Sequence, residues 1–329
     1  MSVQEFLSDW YSPASCLLVH TSGSTGQPKP LWVEKQRMVA SALTTCRFLG
    51  LKPGDSALLC MSLDYIAGKM MVVRSLVCDL KLVVVEPSSH PLSGSDDRLD
   101  NLDFAAMVPM QVWHSLQVPG ERERLRCVRH LIIGGGAIDE QLACELRDFP
   151  HAVWSTYGMT ETLSHIALRR INGVQCDDYY TPFEGVSVSL NTDGCLVIDA
   201  PDVCATTLIT NDRAQLAPDG RRFRILGRRD NVVCSGGIKL QIEELERKLR
   251  AHIDVPFMVT KRHDPVFGEA VVLLVEDQDR TKYNAICRRV LSKYECPRQV
   301  ISVERLPMTG TGKLARHEAE LIANQNERR

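Results

Sequence analysis

No two of the twelve cysteines form a C-x-x-C pair, and no Cys/His cluster carries zinc-site spacing, which excludes zinc ribbons and dithiol redox motifs. A chain of 329 residues has no need of disulfide staples either. Reduced, mostly buried thiols in a cytoplasmic protein are the expectation. Apolar runs of the roughly 20 residues that span a bilayer are missing as well. The first ten residues show no basic stretch leading into an apolar one, so no secretory leader and no membrane partner are expected. Net charge is nearly absent: 39 Lys and Arg against 41 Asp and Glu leave −2, and nothing global favours nucleic acid as a partner. Internal repeats are also missing. What the chain does have is 44% hydrophobic residues, enough for a large core and two or more domains.

Strand-like apolar runs alternate with helical periodicity over the first half. Residues 16–19, 81–85 and 131–133 read as buried strands, the last ending in Gly134-Gly135-Gly136. Residues 36–48 and 138–147 carry apolar side chains at helical spacing, with Asp139 placed to cap the second helix. Strand, loop and helix in alternation predict an α/β class. Residues 88–101, rich in Ser, Pro and Asp, read as a solvated connection. From about Thr206 the texture changes, which marks the start of a second, smaller α+β unit. Residues 207–210 and 222–226 look like strands around the turn Ala217-Pro218-Asp219-Gly220, and a helix follows at 242–249. Apolar runs at 255–260 and 270–275 then pair around Asp264-Pro265-Val266-Phe267-Gly268, before a helix at 283–294.

Residues 20–29, His-Thr-Ser-Gly-Ser-Thr-Gly-Gln-Pro-Lys, gather what a polyphosphate needs. Gly23 and Gly26 let the backbone close on an anion, Thr21, Ser22, Ser24 and Thr25 supply hydroxyls, and Lys29 adds a full positive charge. The spacing is not that of a Walker loop, because Gln27 and Pro28 separate the last glycine from Lys29. A polar surface loop remains the alternative. Tyr157-Gly158-Met159-Thr160-Glu161-Thr162 places a ring, a hydroxyl and a carboxylate within a few residues, suited to base stacking, phosphate contact and magnesium, or to an ordinary turn. The segment from Gly227 to Lys239 joins paired arginines to a glycine turn, and can serve as a hinge or a salt-bridged connector. Lys313 sits in a Thr-Gly-Thr-Gly-Lys run suited to a loop that enters a site and leaves it.

The order and spacing of these clusters resemble the adenylate-forming ligases, the superfamily of acyl-CoA synthetases, luciferases and peptide-synthetase adenylation domains. The matching segments are Thr21-Ser-Gly-Ser-Thr-Gly-Gln-Pro-Lys29, Tyr157-Gly-Met-Thr-Glu-Thr162, Asp212 with Gly227-Arg-Arg-Asp230, Ser235-Gly-Gly237 and Pro307-Met-Thr-Gly-Thr-Gly-Lys313. They are collinear over about residues 16–316. The resemblance implies a large N-terminal α/β domain of layered sheets and helices, residues 1–227, and a small mobile α+β lid, residues 228–329, with its hinge near Asp230. It implies that MgATP and a carboxylic acid give an acyl-adenylate, from which coenzyme A then displaces AMP. In that reading the loop of residues 21–29 holds the β- and γ-phosphates, Thr160 contacts phosphate and Glu161 binds magnesium. Tyr157 and the strand end Gly135-Gly136-Ala137 would sandwich adenine, and Asp212 and Arg228 would take the ribose hydroxyls. Lys313 would bridge the substrate carboxylate and the α-phosphate. After rotation about Asp230, Ser235, Gly236 and Gly237 would line a pantetheine tunnel.

A narrower likeness, to the o-succinylbenzoate–CoA ligases of menaquinone synthesis, rests on Leu63-Asp-Tyr-Ile-Ala-Gly-Lys69 with Arg74, Met107-Val-Pro-Met-Gln111 and Asp230-Asn-Val-Val-Cys-Ser-Gly-Gly-Ile-Lys239. Their substrate keeps a second carboxylate that needs a cation or several donors. Lys69 and Arg74 are offered for it, and Tyr65, Ser164 and His165 are expected around the acyl group, His165 as a base or a hydrogen-bonding residue. Another aryl or acyl acid, or a carrier-protein-dependent adenylation module, is the alternative. The chain departs from the pattern in Asn211, where glycine is usual, and in Tyr65, where histidine is usual. Only about twenty residues precede the glycine loop, which leads us to expect a homodimer or a locally redesigned surface.

Overall fold

The computed structural model describes residues 1–20, 30–309 and 314–326. Helix α1 (Val3–Tyr11) opens on a capping box, in which the Ser2 hydroxyl accepts from the Glu5 amide and the Glu5 carboxylate accepts from the Ser2 amide. Strands β1 (Cys16–His20) and β2 (Pro30–Glu34) form a separate antiparallel hairpin. The expectation of a buried strand at residues 16–19 is therefore corrected. A hairpin covered on one face leaves the cross-strand pair Leu18 and Trp32 40% and 68% exposed.

The next elements build the main sheet. They are α2 (Lys35–Leu49), β3 (Ser56–Leu59), α3 (Ile66–Cys78), β4 (Lys81–Val84), β5 (Phe104–Met107), α4 (Pro109–Gln117), α5 (Pro119–Cys127), β6 (His130–Ile133), α6 (Glu140–Leu146), β7 (Ala152–Gly158), β8 (His165–Arg170) and β9 (Thr181–Pro182). Strand order is β4-β3-β5-β6-β7-β8-β9, parallel from β4 to β7 and antiparallel beyond. Side chains alternate between the two faces. Ala57, Leu59, Phe104, Ala106 and Ile132 pack with Met38, Ala42 and Met70 of α2 and α3, while Leu58, Ala105, Met107, Leu131 and Ile133 pack with Val112, Leu125 and Leu142 of α4 to α6. Short runs buried on both sides are what parallel strands require. Asp139 caps α6 as its position predicts, accepting from the Leu142 amide at 2.8 Å. The run at residues 81–85 is not a buried strand: β4 lies at the sheet edge, with Lys81 exposed and Val84 48% exposed.

A second sheet, β10 (Ser187–Leu190), β11 (Cys195–Asp199), β12 (Leu208–Leu216) and β13 (Phe223–Arg228), is an antiparallel meander. The change of texture near Thr206 is thus not a structural boundary, because β12 and β13 pair back onto β11 and its neighbour. The third sheet takes the rest: β14 (Val232–Ser235), β15 (Ile238–Gln241), β16 (Phe257–Asp264), β17 (Gly268–Val275) and β18 (Gln299–Ser302), with α7 (Ile242–Arg250), α8 (Thr281–Val290) and α9 (Arg316–Gln325). Helices α7 and α8 cover one face and α9 the other. Buried Glu246 ties the layers together, accepting from Arg316 at 2.8 and 2.9 Å and from the Val259 amide at 3.0 Å. Helix α8 stops four residues short of the sequence expectation, where Leu291 turns extended.

All twelve cysteines are free, but only five are buried, and Cys127, Cys144, Cys176 and Cys234 are exposed, so the expectation of mostly buried thiols is corrected. Among the described residues no helix is long and apolar enough to cross a membrane.

Gly68, in the first turn of α3, stands against the chain that follows β3. A Cβ there would lie 2.4 Å from the Ser62 carbonyl oxygen. Gly68→Ala should lower stability by about 1–3 kcal/mol, since backbone must move. Gly120→Ala in α5, with nothing within 4 Å, should be neutral or slightly stabilising. Urea midpoints of the two variants check this.

Candidate active site

Parallel strands leave their C-terminal ends on one edge, and here those ends open onto a cavity of about 290 Å³. Met61 and Ser62 follow β3, Met107 and Val108 end β5, Gly134 and Gly135 follow β6, and Thr156 and Thr160 come from β7 and the turn after it. The cavity lies where strand order reverses between β3 and β5, the place such sheets reserve for ligands. His20, at the end of β1, also stands on its wall, bridged to Tyr65 and paired with Pro30. One flank of the glycine loop, His20, therefore meets the cavity, while Thr21, Ser22, Gly23, Ser24, Thr25, Gly26 and Lys29 lie outside the described residues. Lys313 lies outside them too. Its flanks are tied by a bridge between Met308 and Leu314 and by a 2.8 Å bond from the Ala315 amide to the Pro307 carbonyl.

The turn after β7 is tightly determined. A Cβ on Gly158 would lie 2.1 Å from the Ser164 carbonyl oxygen, so only glycine lets β8 return this closely. Thr160 to Thr162 form one turn of 3₁₀ helix, the Thr162 hydroxyl bonds the Ser164 carbonyl at 2.6 Å, and Leu163 is held at φ +64° with its side chain buried. This strained turn puts Thr160 on the cavity wall, leaves Glu161 exposed beside it, and points Ser164 and His165 back inward. Among the described residues no group of three or more His, Cys, Asp or Glu is arranged to hold a metal ion. A single exposed carboxylate beside the cavity still fits magnesium, which commonly takes one or two carboxylates and completes its shell with water and other oxygen ligands.

Among the described residues Arg74 is the one Lys or Arg side chain on the cavity wall. It is 2% exposed, its Nη2 donates to the Ser164 hydroxyl at 2.7 Å, and its Nε has no hydrogen-bond partner. Among the described residues no carboxylate pairs with it. Burial draws its pKa down to about 10, so it stays charged at neutral pH. His165 bonds Ser164 Oγ through Nδ1 at 3.1 Å and Thr45 Oγ1 through Nε2 at 3.2 Å, with its ring edge-on to Phe183. Burial, and then the Arg74 charge, hold its pKa well below the usual histidine value. It is a neutral hydrogen-bonding group whose two nitrogens are both engaged.

Lys69 is not brought to the cavity. Five residues along a helix turn the side chain by about 140° relative to Arg74. The Lys69 ammonium instead donates to the Leu63 carbonyl at 2.5 Å and lies over the Phe6 ring of α1. Tyr65, Ile66 and Ala67 do line the cavity, Ala67 sharing the Arg74 face at i, i+7. Tyr157 is not on this wall either. Its strand shows Thr156 and Gly158 to the cavity, and its own ring packs on Phe223 and Tyr180. Its hydroxyl donates to Asp212 at 2.7 Å, and burial followed by the Asp212 charge pushes its pKa up.

Asp212 also meets Arg228 at 3.3 Å, and Arg228 reaches Asp230 at 2.8 Å. Asn211 closes this group, donating to Asp230 at 3.3 Å and accepting from Arg229 at 2.9 Å. Glycine at that position has no side chain for either bond. Gly135 is on the cavity wall, Gly136 and Ala137 are exposed beyond it, and Ser235, Gly236 and Gly237 form the β14–β15 turn away from the wall. Sequence reasoning missed Thr45, Thr156 and the role of Gln111. Gln111 stitches the strand ends together, accepting from the Val108 amide and donating to the Cys60 and Ser88 carbonyls. Its place three residues after the helix N-cap was the available signal.

The AMP-binding enzyme family matches residues 9–201, and the AMP-binding enzyme C-terminal domain matches residues 244–313. The chain belongs to the AMP-binding enzymes. This AMP-binding enzyme is similar, at 33% identity and TM-score 0.65, to the acyl-CoA synthetase (AMP-forming)/AMP-acid ligase II-like protein of Dyadobacter fermentans DSM 18053, over 96% of this chain and 92% of that one. The 2-succinylbenzoate–CoA ligase of Bacillus mycoides (strain KBAB4) is 25% identical over 356 residues, covering 98% of this chain and 73% of that relative. The o-succinylbenzoate coenzyme A synthetase of Bacillus subtilis, solved in complex with ATP and magnesium ion, shares the fold at 22% identity and TM-score 0.76, over 92% of this chain and 69% of that one.

The His165 environment has a measurable sign. Its pKa is depressed on folding, so below about pH 6.5 the unfolded chain binds a proton that the folded chain refuses, and stability falls with pH. Denaturation at acidic against neutral pH should show this loss, smaller in His165→Gln. Ring signals of His165 should show no titration midpoint near the ordinary histidine value; a midpoint there would contradict a neutral buried ring.

Proposed function

We propose that this AMP-binding enzyme is an ATP-dependent acid–thiol ligase that adenylates o-succinylbenzoate, releasing pyrophosphate, and passes the acyl group to coenzyme A. The observation that carries the substrate is Arg74. A guanidinium buried at a cavity without an ion-pair partner among the described residues loses hydration, and a carboxylate arriving in the cavity restores a charge partner. An acid with one carboxylate to activate and another to leave charged suits that arrangement. The relatives named 2-succinylbenzoate–CoA ligase support the same acid.

In this reading the loop of residues 21–29 grips the β- and γ-phosphates, with Thr160 adding a hydroxyl at the wall. Bound at Glu161, magnesium would supply positive charge to the phosphates. Gly135 offers backbone to the adenine, and Asp212 with Arg228 takes the ribose hydroxyls. The ring of Tyr157 then acts through its bond to Asp212, which fixes the carboxylate. Lys313 provides the cation for charge developing between the acid and the α-phosphate. We read residues 228–329 as a lid that turns about Asp230 and carries Ser235, Gly236 and Gly237 toward the thiol path for the second step. We also read the protein as cytoplasmic and as a homodimer. The exposed Leu18–Trp32 pair motivates the dimer; a single monomeric species in analytical ultracentrifugation at micromolar concentration would refute it.

Pyrophosphate release with o-succinylbenzoate and with other aryl acids, with and without coenzyme A, tests the reaction. Lys313→Ala should lower the rate by about 10² or more. Arg74→Met should raise KM for o-succinylbenzoate by at least about tenfold, since a hydrogen bond to a charged group is lost. Absence of pyrophosphate with every acid ends the proposal.

A further inference from the structure

The Arg74 guanidinium is the first member of a hydrogen-bonded chain that runs away from the cavity. Nη2 lies 2.7 Å from Ser164 Oγ, which lies 3.1 Å from His165 Nδ1. His165 Nε2 lies 3.2 Å from Thr45 Oγ1, which bonds the Ser41 carbonyl at 3.1 Å. Both ends have a fixed direction. A guanidinium only donates and a backbone carbonyl only accepts. Ser164 Oγ therefore accepts from Arg74 and has its one proton free for His165 Nδ1. The Thr45 proton goes to Ser41, leaving its oxygen to accept the Nε2 proton of His165. The ring is thereby assigned the Nε2–H tautomer, an assignment made from the network. A second proton, on Nδ1, would set two donors and two cations against one hydroxyl.

We propose that His165 and Thr45 are positioning residues that aim Arg74 at the second carboxylate of the acid. This rests on the reading of Arg74 given above. Thr45 is fully buried on α2 and has no place on the cavity wall, so it acts through His165 and Ser164. The chain joins α2, α3 and the start of β8. Its effect is to orient the lone pairs of Ser164, which steady Nη2 while Nε keeps no partner of its own. Selectivity for a dicarboxylate then depends on a hydroxyl that never touches it.

Kinetics with o-succinylbenzoate and with 3-benzoylpropionate, which lacks only the ring carboxylate, separate positioning from general damage. Thr45→Val should lower kcat/KM for o-succinylbenzoate by about tenfold, mostly through KM, the cost of a broken buried hydrogen bond. The same variant should leave 3-benzoylpropionate unchanged, and Thr45→Ser should restore the wild-type preference. Equal losses with both acids, or no loss with either, overturn the proposal. Should Thr45→Val not fold, Thr45→Ala removes the same hydroxyl without an added methyl and is held to the same outcomes. Nitrogen-15 spectra of the wild type give a readout that does not depend on the acid. His165 should be the Nε2–H tautomer, becoming mixed in Thr45→Val, and an Nδ1–H wild type overturns the proposal. A wild type that turns over neither acid refutes the function above and leaves the chain of bonds to be judged by these spectra.

Discussion

Parallel strands cannot be joined by tight turns, so each step between them needs a crossover, and each crossover must cover one face of the sheet. In this chain the crossovers through α3 and through α4 to α6 lie on opposite faces, and the strand order reverses between β3 and β5. The backbone there has no helix directly above it. The cavity, the wall residues of four strand ends and the mouth of the first hairpin all follow from that gap. So does the burial of Arg74, because α3 is the crossover that returns beside it.

The turn after β7 was legible because its parts are local in sequence. The eight residues from Gly158 to His165 set Thr160, Glu161, Ser164 and His165, and Gly158 is required by a 2.1 Å approach that no other residue tolerates. The rest of the cavity wall was legible only in part. Lys69 and Arg74 are neighbours in the sequence, but helix geometry sends one to α1 and the other to the cavity. Thr45 lies 120 residues from its partner His165, and no periodicity connects them. Tyr157 illustrates a third limit. A motif can mark an aromatic residue without telling which neighbours its ring packs on or which carboxylate its hydroxyl meets.

Fold reading failed where exposure decided it. Apolar runs at 16–19 and 81–85 are strands as expected, yet one belongs to a two-stranded hairpin and the other to a sheet edge. An apolar run reports that a strand forms, not how many faces are covered. The cysteines make the same point: composition placed them inside, and the structure exposes four.

Arg228 is shared. One nitrogen meets Asp212 at 3.3 Å and the other meets Asp230 at 2.8 Å, with Asn211 holding Asp230 from the other side. One guanidinium thus answers to a carboxylate of the second sheet and to a carboxylate at the start of the third. If residues 228–329 turn about Asp230 as proposed, a ligand that draws Arg228 toward Asp212 loosens its hold on Asp230, and by thermodynamic reciprocity the rotation that frees Asp230 changes the affinity for that ligand by the same factor. Occupancy and orientation are two readings of one equilibrium.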